Sequence, residues 1–221
     1  MQNVFSICTR FPGKREKLMN KQNSTVMKLA ETALLAALCY VSFTFLQIKI
    51  PVPGGDATSL HIGNTFCVLG ALLLGGWYGG LAGSIGMTIA DLMDPVYITG
   101  APKTFVLKLC IGLITGLVAH KIAKINETND KKYVFKWSLI ASIAGLAFNV
   151  IADPIVGYFY KQYILGQPQE VASILAKLSA GATFVNAIVS TILVVIIYNA
   201  VRPALIKANL IHVYVTAANA K

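Results

Sequence analysis

Apolar positions in this chain come in long runs separated by short polar breaks, with no strand-like alternation along the runs. Each run approaches the roughly 20 residues needed to cross a hydrocarbon core of about 30 Å. Six helical spans are expected. The first covers about Met27–Gln47 and is rich in Ala and Leu. It is followed by Ile48-Lys49-Ile50-Pro51-Val52-Pro53-Gly54-Gly55, whose prolines and glycines cannot continue a helix. The second and third, about Ile62–Trp77 and Gly80–Met93, flank a Gly-rich turn and are short for full spans. The fourth opens at Pro102, a favoured first-turn residue, and ends near His120. The fifth runs from about Lys136 to Tyr160, and the sixth from about Leu178 to Val201, stopped by Pro203.

The pattern predicts an all-α integral membrane protein, a compact six-transmembrane-helix bundle. Residues 1–26 form a basic N-terminal tail, 27–201 the membrane domain and 202–221 a C-terminal tail. Composition agrees: of 221 residues, 56% are apolar and 13% charged. A soluble domain carries about 25% charged residues. No signal peptide is expected, because the first 25 residues hold no apolar core.

A net charge of +10 would suggest nucleic acid in a soluble chain, but its placement gives another reading. The N-terminal tail, the loop between spans four and five and the C-terminal tail together hold fourteen of the nineteen Lys and Arg. Only Lys49, Lys103, Lys108, Lys161 and Lys177 fall on the other side. Positive charge collects on the cytoplasmic side, so both termini are expected there, with no nucleic-acid partner and a lipid bilayer as the surroundings. The four cysteines show no CxxC spacing and read as small buried hydrophobes, not metal ligands. Glycines spaced by four, at Gly75, Gly79 and Gly83 and at Gly112 and Gly116, read as close helix contacts within the bundle. Ala33 and Ala37 have the same spacing in the first span.

Ionisable groups in hydrocarbon are costly and mark candidate sites. Here they gather at the outer level: Asp91 near the end of the third span, Lys103 at the start of the fourth, Asn149 and Asp153 one turn apart in the fifth, and Thr183 and Asn186 in the sixth. The first outer loop adds Asp56, Thr58 and His61, with Asn64 just beyond it. Lys108 either joins them or snorkels to water. The inner half of the bundle offers almost nothing comparable. A pocket roofed by the first loop is expected. Nothing in the chain supplies power or hydrolytic chemistry, since GxxxxGK[ST], GxSxG and HExxH are all missing. A binding subunit without a motor fits best, with no enzyme activity, metal or cofactor expected.

The stretch Pro51–Asn64, the Gly-rich turn after it, Asp91 and Ala101-Pro102-Lys103-Thr104-Phe105 resemble the substrate-binding (S) components of energy-coupling factor transporters, in the riboflavin-transporter-like branch. Ala33 and Ala37 match the AxxxA feature of the first helix in that family. The resemblance implies capture of a vitamin-type small molecule at the outer face. It also implies docking on a membrane coupling protein with two cytoplasmic ATPases, and toppling of the loaded subunit. The charges of both signs favour a B6 vitamer such as pyridoxamine, with riboflavin or a deazapurine precursor as alternatives. Asp91 would accept from a protonated nitrogen and Lys103 would pair with an oxygen. Asn149 and Asn186 would fix ring edges, and Ala33 and Ala37 would form the docking face. The alternative is a stand-alone ion-coupled carrier; an intramembrane enzyme using paired carboxylates has no motif behind it.

Overall fold

The computed structural model describes residues 14–52 and 56–208, with side chains from Thr25 onward except those of Val52 and Asp56. Helix α1 spans Lys14–Phe45 and leads into an antiparallel hairpin of β1 (Gln47–Val52) and β2 (Asp56–His61). Then follow α2 (Gly63–Leu74), α3 (Gly76–Met93), α4 (Ala101–Gly116), α5 (Lys131–Phe159) and α6 (Gln169–Lys207). Single turns of wider π-helix extend α4 through Ile122 and α5 through Ile164. Among the described residues four segments are long and apolar enough to cross a membrane: Thr25–Phe45, Ile98–Glu127, Lys131–Ile164 and Gln169–Lys207. The apolar α2 is shorter, about 18 Å at 1.5 Å per residue, and nine of its residues are buried. It fills the bundle centre.

Several expectations need correction. The chain is nearly all-helical, not all-α, because the first loop pairs as a hairpin in the register Gln47↔His61 to Val52↔Asp56. The Gln-Ile-Lys-Ile-Pro-Val run alternates sides as a strand requires. Helix ends also overrun the apolar runs. α1 starts at Lys14, α5 at Lys131 and α6 at Gln169, since backbone hydrogen bonds continue past the point where hydrocarbon gives way to water. Asp130 caps α5 by accepting from the Lys132 N–H at 2.9 Å. Pro203 does not stop α6, which runs to Lys207. Consequently Arg202 is no tail residue. It is buried, and its guanidinium donates to the carbonyls of Ile125 (2.9 Å) and Thr128 (3.1 Å), fastening the α4–α5 connection to α6. With His120 bonded to the Ala71 carbonyl and Asn199 to the Val195 carbonyl, the end opposite the hairpin is more polar than expected.

Packing of α3 on α4 follows the glycine spacing. A Cβ built on Gly112 would fall on the backbone N and Cα of Gly80, and one on Gly116 would fall on those of Gly76. The two backbones touch, as small-residue spacing permits. Gly75, at φ 98°, makes the break between α2 and α3 that a side chain would strain. On α1, Leu35, Cys39 and Phe43 point into the core, while Ala33, Ala37, Leu34 and Leu38 face outward.

Candidate functional site

A cavity of ≈ 130 Å³ lies beneath the hairpin. Four helices supply its polar lining, and on α4 and α6 the pairs Thr104 and Lys108, Ser179 and Thr183, and Thr183 and Asn186 are three or four apart, on one helix face. α3 gives Asp91, α4 gives Lys103, Thr104 and Lys108, α5 gives Asp153, and α6 gives Ser179, Thr183 and Asn186. Thr58, Ser59 and His61 of β2 form the roof, and Tyr97, in the α3–α4 connection, completes the wall with Tyr160. Tyr160 also ties that connection down by donating to the Thr99 carbonyl at 2.8 Å.

Two of the charges are spent on each other. The Lys103 ammonium donates to Asp153 at 2.9 Å, and Ser179 donates to the other carboxylate oxygen. Asp91 is 3% exposed and Lys108 is 7% exposed, so Lys108 faces the cavity and does not snorkel to water. Among the described residues neither Asp91 nor Lys108 has an opposite charge within 4.0 Å.

The roof is held on two sides. Asn186 uses both ends of its amide on β2, accepting from the His61 N–H and donating to the Ser59 carbonyl, each at 3.0 Å. Asn186 thus spends one donor and one acceptor on the hairpin while lining the cavity. His61 accepts from the Gly63 N–H at 3.2 Å and meets Phe43 edge-on at 4.7 Å. Burial, aided by the Lys108 charge, pushes its imidazole down to about 3, so it stays neutral at physiological pH. On the other side Lys49 of β1 pairs with Asp94 and lies over the Tyr97 ring at 5.5 Å.

Truncating Asn186 to alanine removes two bonds of about 0.5–1.5 kcal/mol each. Amide exchange over 57–61 is expected to accelerate about tenfold in N186A; unchanged protection would mean the strands hold themselves. The Lys49 pair responds to pH. Burial works against ionisation of Asp94, but the Lys49 donor, the Val96 N–H at 3.1 Å and the Lys49 charge outweigh it and hold the carboxyl below its ordinary value. A lowered carboxylate contributes fully above its unfolded value, about 3.9, and that contribution is lost as pH falls through the lowered folded value. Exchange at Lys49 and its neighbours should rise over that acid range in the wild type. In Asp94→Asn it should already be high and flat with pH.

Of the residues singled out from sequence, Thr58, His61, Asp91, Lys103, Asp153 and Asn186 reach the cavity. Asn64 and Asn149 do not line it. Both are 1% exposed within the bundle, with amide oxygens lacking a hydrogen-bond partner. Asn149 lies one turn, about 6 Å, before Asp153 on α5, which carries it past the cavity floor. The Asp56 side chain lies outside the described residues. Sequence reading missed Ser179 and Thr104 and left Lys108 open. The four-residue spacing of Thr104 with Lys108, and of Ser179 with Thr183, was the available signal.

Comparison with known proteins follows the same lines. None of the curated proteins compared with the chain matches it. The solved structure of ThiT from Listeria monocytogenes superposes with a TM-score of 0.58 at 19% identity, over 83% of this chain and 98% of that one. At that identity the likeness is one of fold. Residues 23–203 match the family described as ECF-type riboflavin transporter, S component, which is a transporter component and not an enzyme class. The chain belongs to that family of multi-pass membrane proteins.

Proposed function

We propose that the chain is the membrane substrate-binding subunit of an ECF-type ABC importer. It captures a compact vitamin-type heterocycle under the hairpin at the outer face, and a B6 vitamer such as pyridoxamine is favoured over riboflavin or a deazapurine precursor. The supporting observation is the cavity itself, roofed by the hairpin and carrying charges of both signs on three of the four helices that line it. At ≈ 130 Å³ it lies below the usual range of about 300–1,000 Å³ for ligand pockets, which favours a small ligand. Buried charges also suit a ligand that offers charges in return. In this reading the bundle crosses the membrane six times, with α2 and α3 as tilted or locally thinned crossings and both termini cytoplasmic. The Lys and Arg distribution supports that orientation.

Delivery would require partners: a membrane coupling protein with two cytoplasmic ATPases, on which the loaded subunit topples. Ala33 and Ala37, exposed on α1, are the proposed docking face. Calorimetry on the purified chain tests the substrate, with pyridoxamine binding expected to exceed riboflavin binding. Tight riboflavin binding with no response to B6 vitamers would overturn the preference. Uptake that persists without any ATPase partner would favour an ion-coupled carrier instead.

A further inference from the structure

Resting on the reading of the cavity as a ligand site, we propose that Lys108 and Asp91 are its two ligand-directed charges, and that the substrate is a compact zwitterion. An anionic oxygen of the ligand sits on Lys108 and its side-arm ammonium on Asp91. Lys103 and Asp153 belong to the framework, as does Lys161, which lines the cavity with a partner of its own.

The argument starts from which charges are already matched. An ion taken out of water costs several kcal/mol unless a partner and hydrogen bonds replace its hydration. Lys103 and Asp153 meet that condition with each other, and Ser179 completes the carboxylate. Lys108 does not. Its ammonium carries three donors on a side chain more than nine-tenths buried, it lines the cavity, and no carboxylate lies within 4.0 Å among the described residues. Asp91 is the complementary case, more than nine-tenths buried, lining the cavity beside Thr104, with no cation within the same distance among the described residues.

A ligand with both charges converts two unmatched buried ions into two pairs at once. A neutral ligand of the same shape leaves both unmatched, and a site rejects a ligand that strands its buried polar groups far more strongly than one that merely fits loosely. A ligand with only one charge satisfies half of the site. Lys103 is the poorer anion partner because its charge is already paired with Asp153 at 2.9 Å, and a ligand anion would have to share it with that carboxylate.

The test uses the full chain in lipid nanodiscs, titrated with pyridoxamine, with pyridoxine (which has a hydroxyl where pyridoxamine has its ammonium) and with riboflavin. Lys108→Met and Asp91→Asn each remove one charge at nearly constant volume, and their melting temperatures establish that they fold. K108M is expected to weaken pyridoxamine about 10- to 100-fold. D91N is expected to weaken pyridoxamine to a similar degree while changing pyridoxine less than threefold, so the wild-type preference for the amine disappears. Lys108→Gln serves in place of K108M should the latter be unstable.

Wild-type affinity kept within threefold in both variants overturns the inference. Should the wild type bind riboflavin alone, the substrate preference above falls. Riboflavin is neutral, so that outcome also overturns the inference of a zwitterionic substrate, while the cavity remains a ligand site. Should none of the three bind, native mass spectrometry of the small molecule retained on purification decides. A zwitterion held by the wild type and lost from K108M upholds the inference, and a neutral molecule overturns it.

Discussion

Replacing Gly112 with valine is expected to abolish the folded protein, with a cost of about 3 kcal/mol or more from overpacking. The site leaves no room for relief. A Cβ at Gly112 meets the main chain of Gly80, not the far end of a flexible side chain, so α3 and α4 would have to separate along the whole Gly76/Gly80–Gly112/Gly116 seam. Membrane helices associate through such close contact, because moving an apolar side chain from lipid to protein gains little by itself. Gly181→Val is the control. A Cβ at Gly181 meets nothing within 4 Å, and its cost is expected to stay within about 0.5 kcal/mol. Monodisperse yield and thermal melting of the two variants in one detergent check this. Equal behaviour would mean that the α3–α4 crossing differs from the one described.

Ala33→Leu is expected to leave substrate affinity within twofold while lowering uptake more than tenfold. Ala33 and Ala37 are exposed and point away from the core, so added bulk there is directed away from the packed side of α1 among the described residues. On the opposite side of α1, Leu35 and Cys39 carry the internal packing. The loss would appear only where a partner approaches closely. Calorimetry on A33L and uptake in cells carrying the coupling protein and ATPases separate the two effects. A parallel fall in binding and uptake would show that the pair supports the subunit's own fold.

How much of this was legible in the sequence depended on the kind of signal. Apolar runs found the helices, because hydrocarbon demands them, but could not mark where a helix continues into water, as at Lys14 and Lys207. Pro203 was read as a stop although a proline removes one hydrogen bond and the turns on either side can hold the helix. The hairpin escaped because its Pro and Gly residues were the loudest signal, while the alternation of Gln47 to Val52 was only six residues long. Six candidate site residues converged on the cavity since depth in a membrane is set by position along each helix. Which charges pair is a different matter. The choice of Asp153 for Lys103 depends on how α4 and α5 are rotated against each other, and single-sequence spacing carries no such information. The same limit hid the use of Asn186 as a hairpin anchor.

The unequal fastening of the hairpin sets how a small molecule would exchange with the cavity. Along α6 the tie is two hydrogen bonds from a buried neutral amide, which dissolved ions do not weaken. Across from it the tie is an ion pair whose Lys49 side chain is 44% exposed, within reach of a screening atmosphere only about 8 Å deep at physiological ionic strength. Thermal opening therefore swings on the α6 edge and parts at the β1 edge. Added salt should quicken both arrival and departure while leaving their ratio nearly constant.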